Sequence, residues 1–412
     1  MGSRRPHPPF PMPLSRSSRR PARPSVLLCM GTRPEIIKMA PVYHALRGAG
    51  IRPVVVHTGQ HDDLARPLYR FFQMQPARTL DLVRERATVG HLSAQLLDGL
   101  DKLIGEAHAE AALVHGDTSS TLAAAMASYY QGVPVGHVEA GLRSHDGRNP
   151  FPEEKNREMV ARLARWHFAP TPRAAENLHS EGVPDHHVYR VGNTVVDAAR
   201  WALDRLDRRG GVLTDAVRQL LHDRRLVLVT AHRRESWGAP IAGIARAVGA
   251  LAERHPDLVF VWPLHPNPDL RRTVGDALSG LTESVAARVR LTDPLGYPEL
   301  LTLLRAAWLV MTDSGGIQEE AAALDRPLLV LRETTERPEV IEAGGGALVG
   351  TDPGLIERWV DLLANDEAAY ATMRCRENPF GDGTAGQSIA DVLGRELGAI
   401  PTSVFTPRAA AA

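Results

Sequence analysis

Short β-branched or leucine-rich runs recur along this chain, each followed by a polar or glycine-rich loop and then by a helical pattern. The runs are 26–30, 53–56, 112–114 and 134–138 in the first half, and 226–230, 259–262, 308–311 and 327–331 in the second. A strand with one wet face alternates apolar and polar residues. These runs do not alternate, which suits parallel strands buried between two layers of helices. The fold class is therefore α/β. Two series of runs predict two doubly wound domains, and 412 residues is more than one ordinary domain holds.

The first domain is placed at 25–194, closed by Arg190-Val191-Gly192-Asn193-Thr194, and the second at 195–385. A charged helical stretch opens the second domain. A last helix, 386–400, is expected to pack back on one domain or the other, before a flexible tail at 401–412. The first 24 residues carry six arginines, seven prolines and no acid, the composition of a disordered basic extension. Arg19-Arg20 is a twin arginine, but the apolar run after it falls short of the ~7–15 residues of an export signal.

Composition removes several function classes. Acids and bases balance at 48 each, so no general nucleic-acid footprint is expected. No stretch reaches the ~18 consecutive apolar residues of a membrane span. Cys29 and Cys375 are the two cysteines, too few for a disulfide framework or a zinc site, and they suit a reducing cytoplasm. Cys29 lies within an apolar run and reads as a packed thiol. The nearest approach to a metal pattern is His61-Asp62-Asp63, and no Gly-x-Gly-x-x-Gly follows a strand. Neither a metal nor a cofactor is expected.

The unusual residues sit after the strands, where open parallel sheets bind ligands. Thr32-Arg33-Pro34-Glu35 reads as a helix start with a capping box, and it displays Arg33 beside the positive helix end. Pro41 predicts a kink further along that helix. Asp313-Ser314-Gly315-Gly316 precedes another helix; its glycines and free amides form a cradle for a diphosphate. Glu320, about one turn on, is placed to accept two ribose hydroxyls. Asp117, Glu139, Glu153 and His232 are the acid–base candidates. For Glu153 the alternative is helix capping, and for His232 a buried structural histidine. For Arg337 the alternative is a surface ion pair worth little.

Read together, GTRPEIIKMAPV, TGQH, HGDT, HVEAGLRS, FPEEKNR, VGNTVVD, HRRESWG, PLHPNP, DSGGIQEEA and TTERPE resemble the non-hydrolysing UDP-N-acetylglucosamine 2-epimerases. The ordered set runs from Gly31 to about Gly383. The resemblance implies two Rossmann-like domains facing a cleft, as in GT-B glycosyltransferases, the second of them binding UDP. It also implies a cytoplasmic homodimer that converts UDP-N-acetylglucosamine to UDP-N-acetylmannosamine. By this resemblance Arg33, Lys38, Ser314, Gly315, Gly316, Glu320 and Arg337 hold the nucleotide, and Asp117, Glu139, Glu153 and His232 are catalytic. Gln60, His61, Arg86, Arg233 and His265 match parts of a second site, where many bacterial members bind an activating UDP-N-acetylglucosamine. Two departures fall near it: Asp62-Asp63-Leu64 replaces a stretch that usually holds a methionine, and 81–86 is shorter than the family pattern.

Carbon 2 has no adjacent carbonyl, so direct proton removal gives no stabilised enolate. The workable route eliminates UDP from carbon 1, through a 2-acetamidoglucal, and adds it back. That chemistry needs a diphosphate anchor, acid–base groups near both sugar faces and a dry cleft. A hydrolysing epimerase that releases free N-acetylmannosamine and UDP, and a GT-B glycosyltransferase, are the alternatives.

Overall fold

Both series of apolar runs form parallel sheets in the computed structural model. It describes residues 23–59, 62–82, 86, 88–208, 210, 223–233, 236–374 and 377–399. Most of the basic extension, the 401–412 tail, Gln60, His61 and Cys375 lie outside the described residues.

The first sheet has seven strands: β1 (Ser25–Met30), β2 (Arg52–His57), β3 (Arg78–Thr79), β4 (Ala111–His115), β5 (Val135–Val138), β6 (Trp166–Ala169) and β7 (Val188–Arg190). Their order is β3-β2-β1-β4-β5-β6-β7. The second has β8 (Arg225–Thr230), β9 (Leu258–Pro263), β10 (Val289–Thr292), β11 (Ala307–Thr312), β12 (Leu328–Val330) and β13 (Gly346–Leu348), in the order β10-β9-β8-β11-β12-β13. The strand order reverses between β1 and β4, and again between β8 and β11. The crevice outside the carboxyl ends of such a pair is where doubly wound sheets hold ligands. Arg33, Asp117, His232 and Ser314 directly follow these four strands.

All six residues of β1 are buried, as a strand covered by helices on both faces requires. Cys29 is packed there, and burial, followed by the nearby Glu35, pushes its thiol up to about 12. One continuous apolar cluster runs through both domains, from Leu28 and Met39 through Val195 and Ala199 to Leu228 and Leu304. The helix Thr194–Arg208 is the joint. It packs on Arg33–Gly48 of the first domain and on Tyr297–Ala306 and Gly315–Ala323 of the second.

The last helix, Ala385–Glu396, crosses back and lies against Arg33–Gly48. A glycine is needed at the crossing: a Cβ on Gly386 would sit 3.0 Å from the backbone carbon and oxygen of Pro41. Asp197, on the joint helix, accepts the amides of Gly386 (2.8 Å) and Ala385 (3.3 Å), so it caps the free end of the last helix.

Candidate active site

The loop after β1 is held by the capping box that its sequence announces. Glu35 Oε2 accepts the amides of Gly31 (2.6 Å) and Thr32 (2.9 Å), and the helix starts at Arg33. The same carboxylate does more than cap. Its Oε1 accepts the hydroxyls of Thr118 (2.5 Å) and Thr121 (3.2 Å), which tie the β1 loop to the β4 loop. Burial raises the Glu35 pKa against these hydrogen bonds.

Asp117 follows β4. Its carboxylate takes Nε (2.8 Å) and Nη2 (2.6 Å) of Arg157, and its backbone oxygen takes Nδ2 of Asn156 (2.8 Å). Both donors come from the helix Glu153–Leu163. Glu154, buried on that helix, accepts the amides of Ser144 and His145 at 3.0 Å and pairs with Arg157 at 3.0 Å. Glu153 is the first residue of the helix and is half-buried. Burial, and less strongly the charge of Asp117, raises its pKa; Arg157 and Arg233 oppose the rise.

Glu139 directly follows β5 with φ +64°, a left-handed backbone that is costly for a side chain of this size. The turn places its carboxylate at the junction of the domains. There it contacts the ammonium of Lys38, accepts Nδ2 of Asn193 at 3.1 Å, and lies 3.7 Å from Nε2 of His115. Burial alone would raise the pKa of Glu139. Lys38, then His115 and Arg337, hold it well below the usual carboxylate range. Burial lowers the pKa of His115, against the pull of Glu139.

The second domain supplies the opposite wall. Ser314 is the N-cap of the helix Gly315–Ala323. A Cβ on Gly316 would point into open space, and one on Gly315 would lie 3.8 Å from Oε2 of Glu336 and 3.9 Å from the Arg337 guanidinium. A carboxylate and a guanidinium therefore both stand beside Gly315, while no side chain crowds Gly316. Arg337 is buried and not on the surface, which overturns the weak surface-pair alternative; Nε donates to Glu319 Oε1. Burial disfavours its charge, but Glu319 and Glu139 outweigh that and keep it protonated. Glu320 is buried beside Tyr297. Burial and the adjacent Glu319 push its pKa up to about 7, against Lys38 and Arg33. Arg33 is thus within electrostatic reach of Glu320, on the opposing wall.

His232 follows β8 and is not buried: 47% of its side chain is exposed. Asp313, fully buried, holds it in place. Its Oδ2 accepts the amides of His232 and Arg233, both at 2.7 Å, and its Oδ1 lies 3.4 Å from His232 Nδ1. The His232 ring lies parallel to that of His265, centroids 6.4 Å apart.

Two cavities open elsewhere on the strand ends and between the domains. One of about 370 Å3 lies between the domains, bounded by Ser144 and His145 on one side and Thr335 and Glu336 on the other. One of about 700 Å3 opens at the carboxyl ends of β2 and β3, beside His57, Gly59 and Leu80. Among the described residues no group of three or more His, Cys, Asp or Glu is arranged to hold a metal ion.

Comparison with known proteins settles the family. Residues 44–394 match the model of the UDP-N-acetylglucosamine 2-epimerase family. The Yersinia pestis UDP-N-acetylglucosamine 2-epimerase is 41% identical over 372 residues, 89% of this chain and 98% of that protein. This chain belongs to the UDP-N-acetylglucosamine 2-epimerase family. The family's enzymes are isomerases. Solved structures agree, and the two-domain arrangement is GT-B-like. S. aureus MnaA, solved with UDP, is 38% identical with a TM-score of 0.82, covering 92% of this chain and 98% of its own. The Neisseria meningitidis UDP-GlcNAc 2-epimerase, solved bound to UDP-GlcNAc, is 37% identical with a TM-score of 0.81, covering 90% and 100%.

Within this epimerase fold, Lys38, Glu139, Glu319 and Arg337 meet at one interdomain junction. Asp117 and Glu153 lie together on the first domain, with the charge of Arg233 reaching Glu153. Of the second-site residues, Arg233 and His265 lie on the His232 rim, Arg86 is exposed beyond β3, and Gln60 and His61 lie outside the described residues. Sequence reasoning passed over His115, Glu154, Asn156, Arg157 and Glu319. Each stands inside a quoted motif, within four residues of a chosen one, and all but Glu154 have a partner distant in sequence.

Proposed function

We propose that this chain inverts carbon 2 of UDP-N-acetylglucosamine to give UDP-N-acetylmannosamine, reversibly, by eliminating UDP and adding it back. The observation that carries this reading is the junction itself. Lys38 from one domain and Arg337 from the other meet on Glu319, on the helix that follows Ser314, and Lys38 also contacts Glu139. Two buried cations and a helix N-terminus suit a diphosphate, and a carboxylate stands within the same cluster to move a proton.

Arg33, Lys38, Ser314, Gly315, Gly316 and Arg337 hold the diphosphate, and Glu320 accepts the ribose hydroxyls. The proton of carbon 2 passes to one of the acid–base groups Asp117, Glu139, Glu153 and His232 as the C1–O bond breaks. Its electron pair forms the C1–C2 double bond of 2-acetamidoglucal, and UDP leaves with the bonding pair. Re-addition of UDP at carbon 1, with a proton delivered to the other face of carbon 2, completes the inversion. Closure of the 25–194 domain on the 195–385 domain keeps water from the glucal. No cofactor enters the scheme.

Gln60, His61, Arg86, Arg233 and His265 form a second UDP-sugar site in this reading, and the chain works as a cytoplasmic homodimer. A sigmoidal rate against substrate concentration checks the former, and sedimentation checks the latter.

Proton NMR of UDP-N-acetylglucosamine with the enzyme in heavy water tests the reaction. A second UDP-sugar with deuterium at carbon 2 is expected. Release of free N-acetylmannosamine, or no deuterium at carbon 2, overturns the reading.

A further inference from the structure

Asn193 has no place in the scheme above, yet three segments meet on it. It directly precedes the joint helix Thr194–Arg208 and is almost fully buried. Its backbone amide donates to the Phe380 carbonyl at 2.8 Å, where the chain crosses back toward the last helix. The crossing is tight: Gly192 has φ +87°, and a Cβ there would sit 3.1 Å from the Phe380 oxygen. The side chain of Asn193 is used at both of its polar atoms. Oδ1 accepts the amide of Val195 at 3.0 Å, which caps the joint helix, and Nδ2 donates to Oε2 of Glu139 at 3.1 Å.

The groups around the Glu139 carboxylate all lie on the same oxygen. Lys38 contacts Oε2, Asn193 donates to Oε2, and Nε2 of His115 is 3.7 Å from Oε2. Oε1 has no hydrogen-bond partner among the described residues, and it is not sealed from solvent. The three neighbours do not orient the carboxylate equally. The terminal torsion of a glutamate is broad, so only a directional bond sets the plane of the carboxylate and the aim of its free oxygen. An ammonium is a compact point charge on a flexible stem and sets no plane. His115 lies beyond hydrogen-bond length. The planar amide of Asn193 does have a fixed direction, because its other end is tied to Val195.

We propose that Asn193 is a positioning residue whose amide holds one oxygen of Glu139 and leaves the other aimed into the cleft, at an angle fixed relative to the joint helix. The inference rests on the reading of Glu139 as a catalytic group, and it holds for either direction of proton movement there. The joint helix packs on both domains, so the residue that caps it stands where the domains join. Held from that point, the carboxylate keeps one aim as the second domain brings the sugar to it. Precise aim matters, because misplacing a reacting group by ~1 Å can cost about a hundredfold in rate.

The test uses the full chain with UDP-N-acetylglucosamine, unlabelled and deuterated at carbon 2. Serine caps a helix about as well as asparagine, and its shorter side chain does not reach Glu139. N193S should therefore keep its Tm within a few degrees and its KM within about threefold, while kcat falls roughly tenfold to a hundredfold. The deuterium isotope effect on kcat should be at least that of the wild type. N193A loses the cap as well, and should add a fall in Tm to the same loss of kcat. N193D keeps a capping oxygen without the donor; it should lose at least as much kcat as N193S, and it carries the test if N193S does not fold. Unchanged kcat in the folded variant overturns the proposal. So does a raised KM with an isotope effect falling toward one, which marks Asn193 as part of the joint alone. Combining N193S with E139Q separates the premise from the inference. A residue that acts through Glu139 costs no further rate once Glu139 is replaced, and a second loss of full size overturns the proposal. Near-normal turnover in E139Q alone removes the catalytic reading of Glu139. A poor E139Q beside an N193S of unchanged kcat removes the Asn193 proposal only.

Discussion

Glu320 shows how one buried carboxyl can serve binding at a cost in stability. Burial first, and Glu319 second, raise its pKa from 4.5 to about 7. The folded chain therefore holds a proton there that the unfolded chain releases. Stability from the protonated form is complete below about pH 4.5 and is lost as pH rises through about 7. Glutamine mimics the protonated acid. E320Q should match the wild type in Tm at pH 4.5 and exceed it at pH 8.5, by about 1–3 kcal/mol of stability, while UDP binds roughly tenfold more weakly for want of a carboxylate at the ribose. Thermal melts at the two pH values and calorimetry check both halves. A second division of roles follows from the two walls. D117N should abolish turnover and leave UDP binding within about threefold, whereas R337A should weaken UDP binding most. Kinetics and titration of the same two proteins decide it. The residues named from the sequence were legible because most are charges and glycines that come soon after a strand. Asn156 and Arg157 were not legible as support for Asp117, because that support is a contact across roughly forty positions, and a single sequence shows no such pairing.

At the scale of elements, the interior of each sheet was legible and its edges were not. Every run read as a strand lies within an observed strand or overlaps one. Five strands went unread, and four of them, β3, β7, β10 and β13, are the outermost strands of the two sheets. Edge strands are short and partly wet, so they lack the continuous apolar signature of a strand covered on both faces. The fifth, β6, is buried throughout, but its Trp-His-Phe-Ala sequence has no β-branched residue. The last helix illustrates the reverse case. Its position in the sequence was clear, and its docking on Arg33–Gly48 was not, since the deciding feature is the approach of Gly386 to Pro41. Alanine at Gly386 would gain about 1 kcal/mol of helix propensity in an open site. Here the added Cβ meets backbone atoms that cannot rotate away, and such overpacking costs about 1–3 kcal/mol. The packing cost should win. G386A is expected to lower Tm by a few degrees, and the loss should also reach the Lys38 side of the same helix as weaker UDP binding. An unchanged or higher Tm would show that the two helices separate without strain.

At the scale of the whole molecule, the two domains are held by apolar packing at one end and by charge at the other. The cluster running from Leu28 through Val195 to Leu304 is continuous and needs no ligand. The contacts at the cleft are polar: Lys38 to Glu319, Thr171 to Glu339 at 3.0 Å, and Arg173 to Glu342 at 2.7 Å. The last of these is solvent-exposed and contributes little. Lys38 differs because both of its carboxylate partners are buried. Methionine at Lys38 has similar length and no charge, and it leaves Glu139 and Glu319 facing one another without the cation between them. Two like charges that cannot both remain in a dry junction favour separation of the walls. The joint helix Thr194–Arg208, packed on both domains, is the element about which they would part. K38M should therefore fold with a near-normal circular dichroism spectrum, show a larger radius of gyration by small-angle scattering than the wild type, and bind UDP at least tenfold more weakly. Lowering the pH to about 5 should bring its radius of gyration back toward that of the wild type, because protonating one carboxyl removes the repulsion. Equal radii at neutral pH would mean that the apolar joint alone sets the closed arrangement.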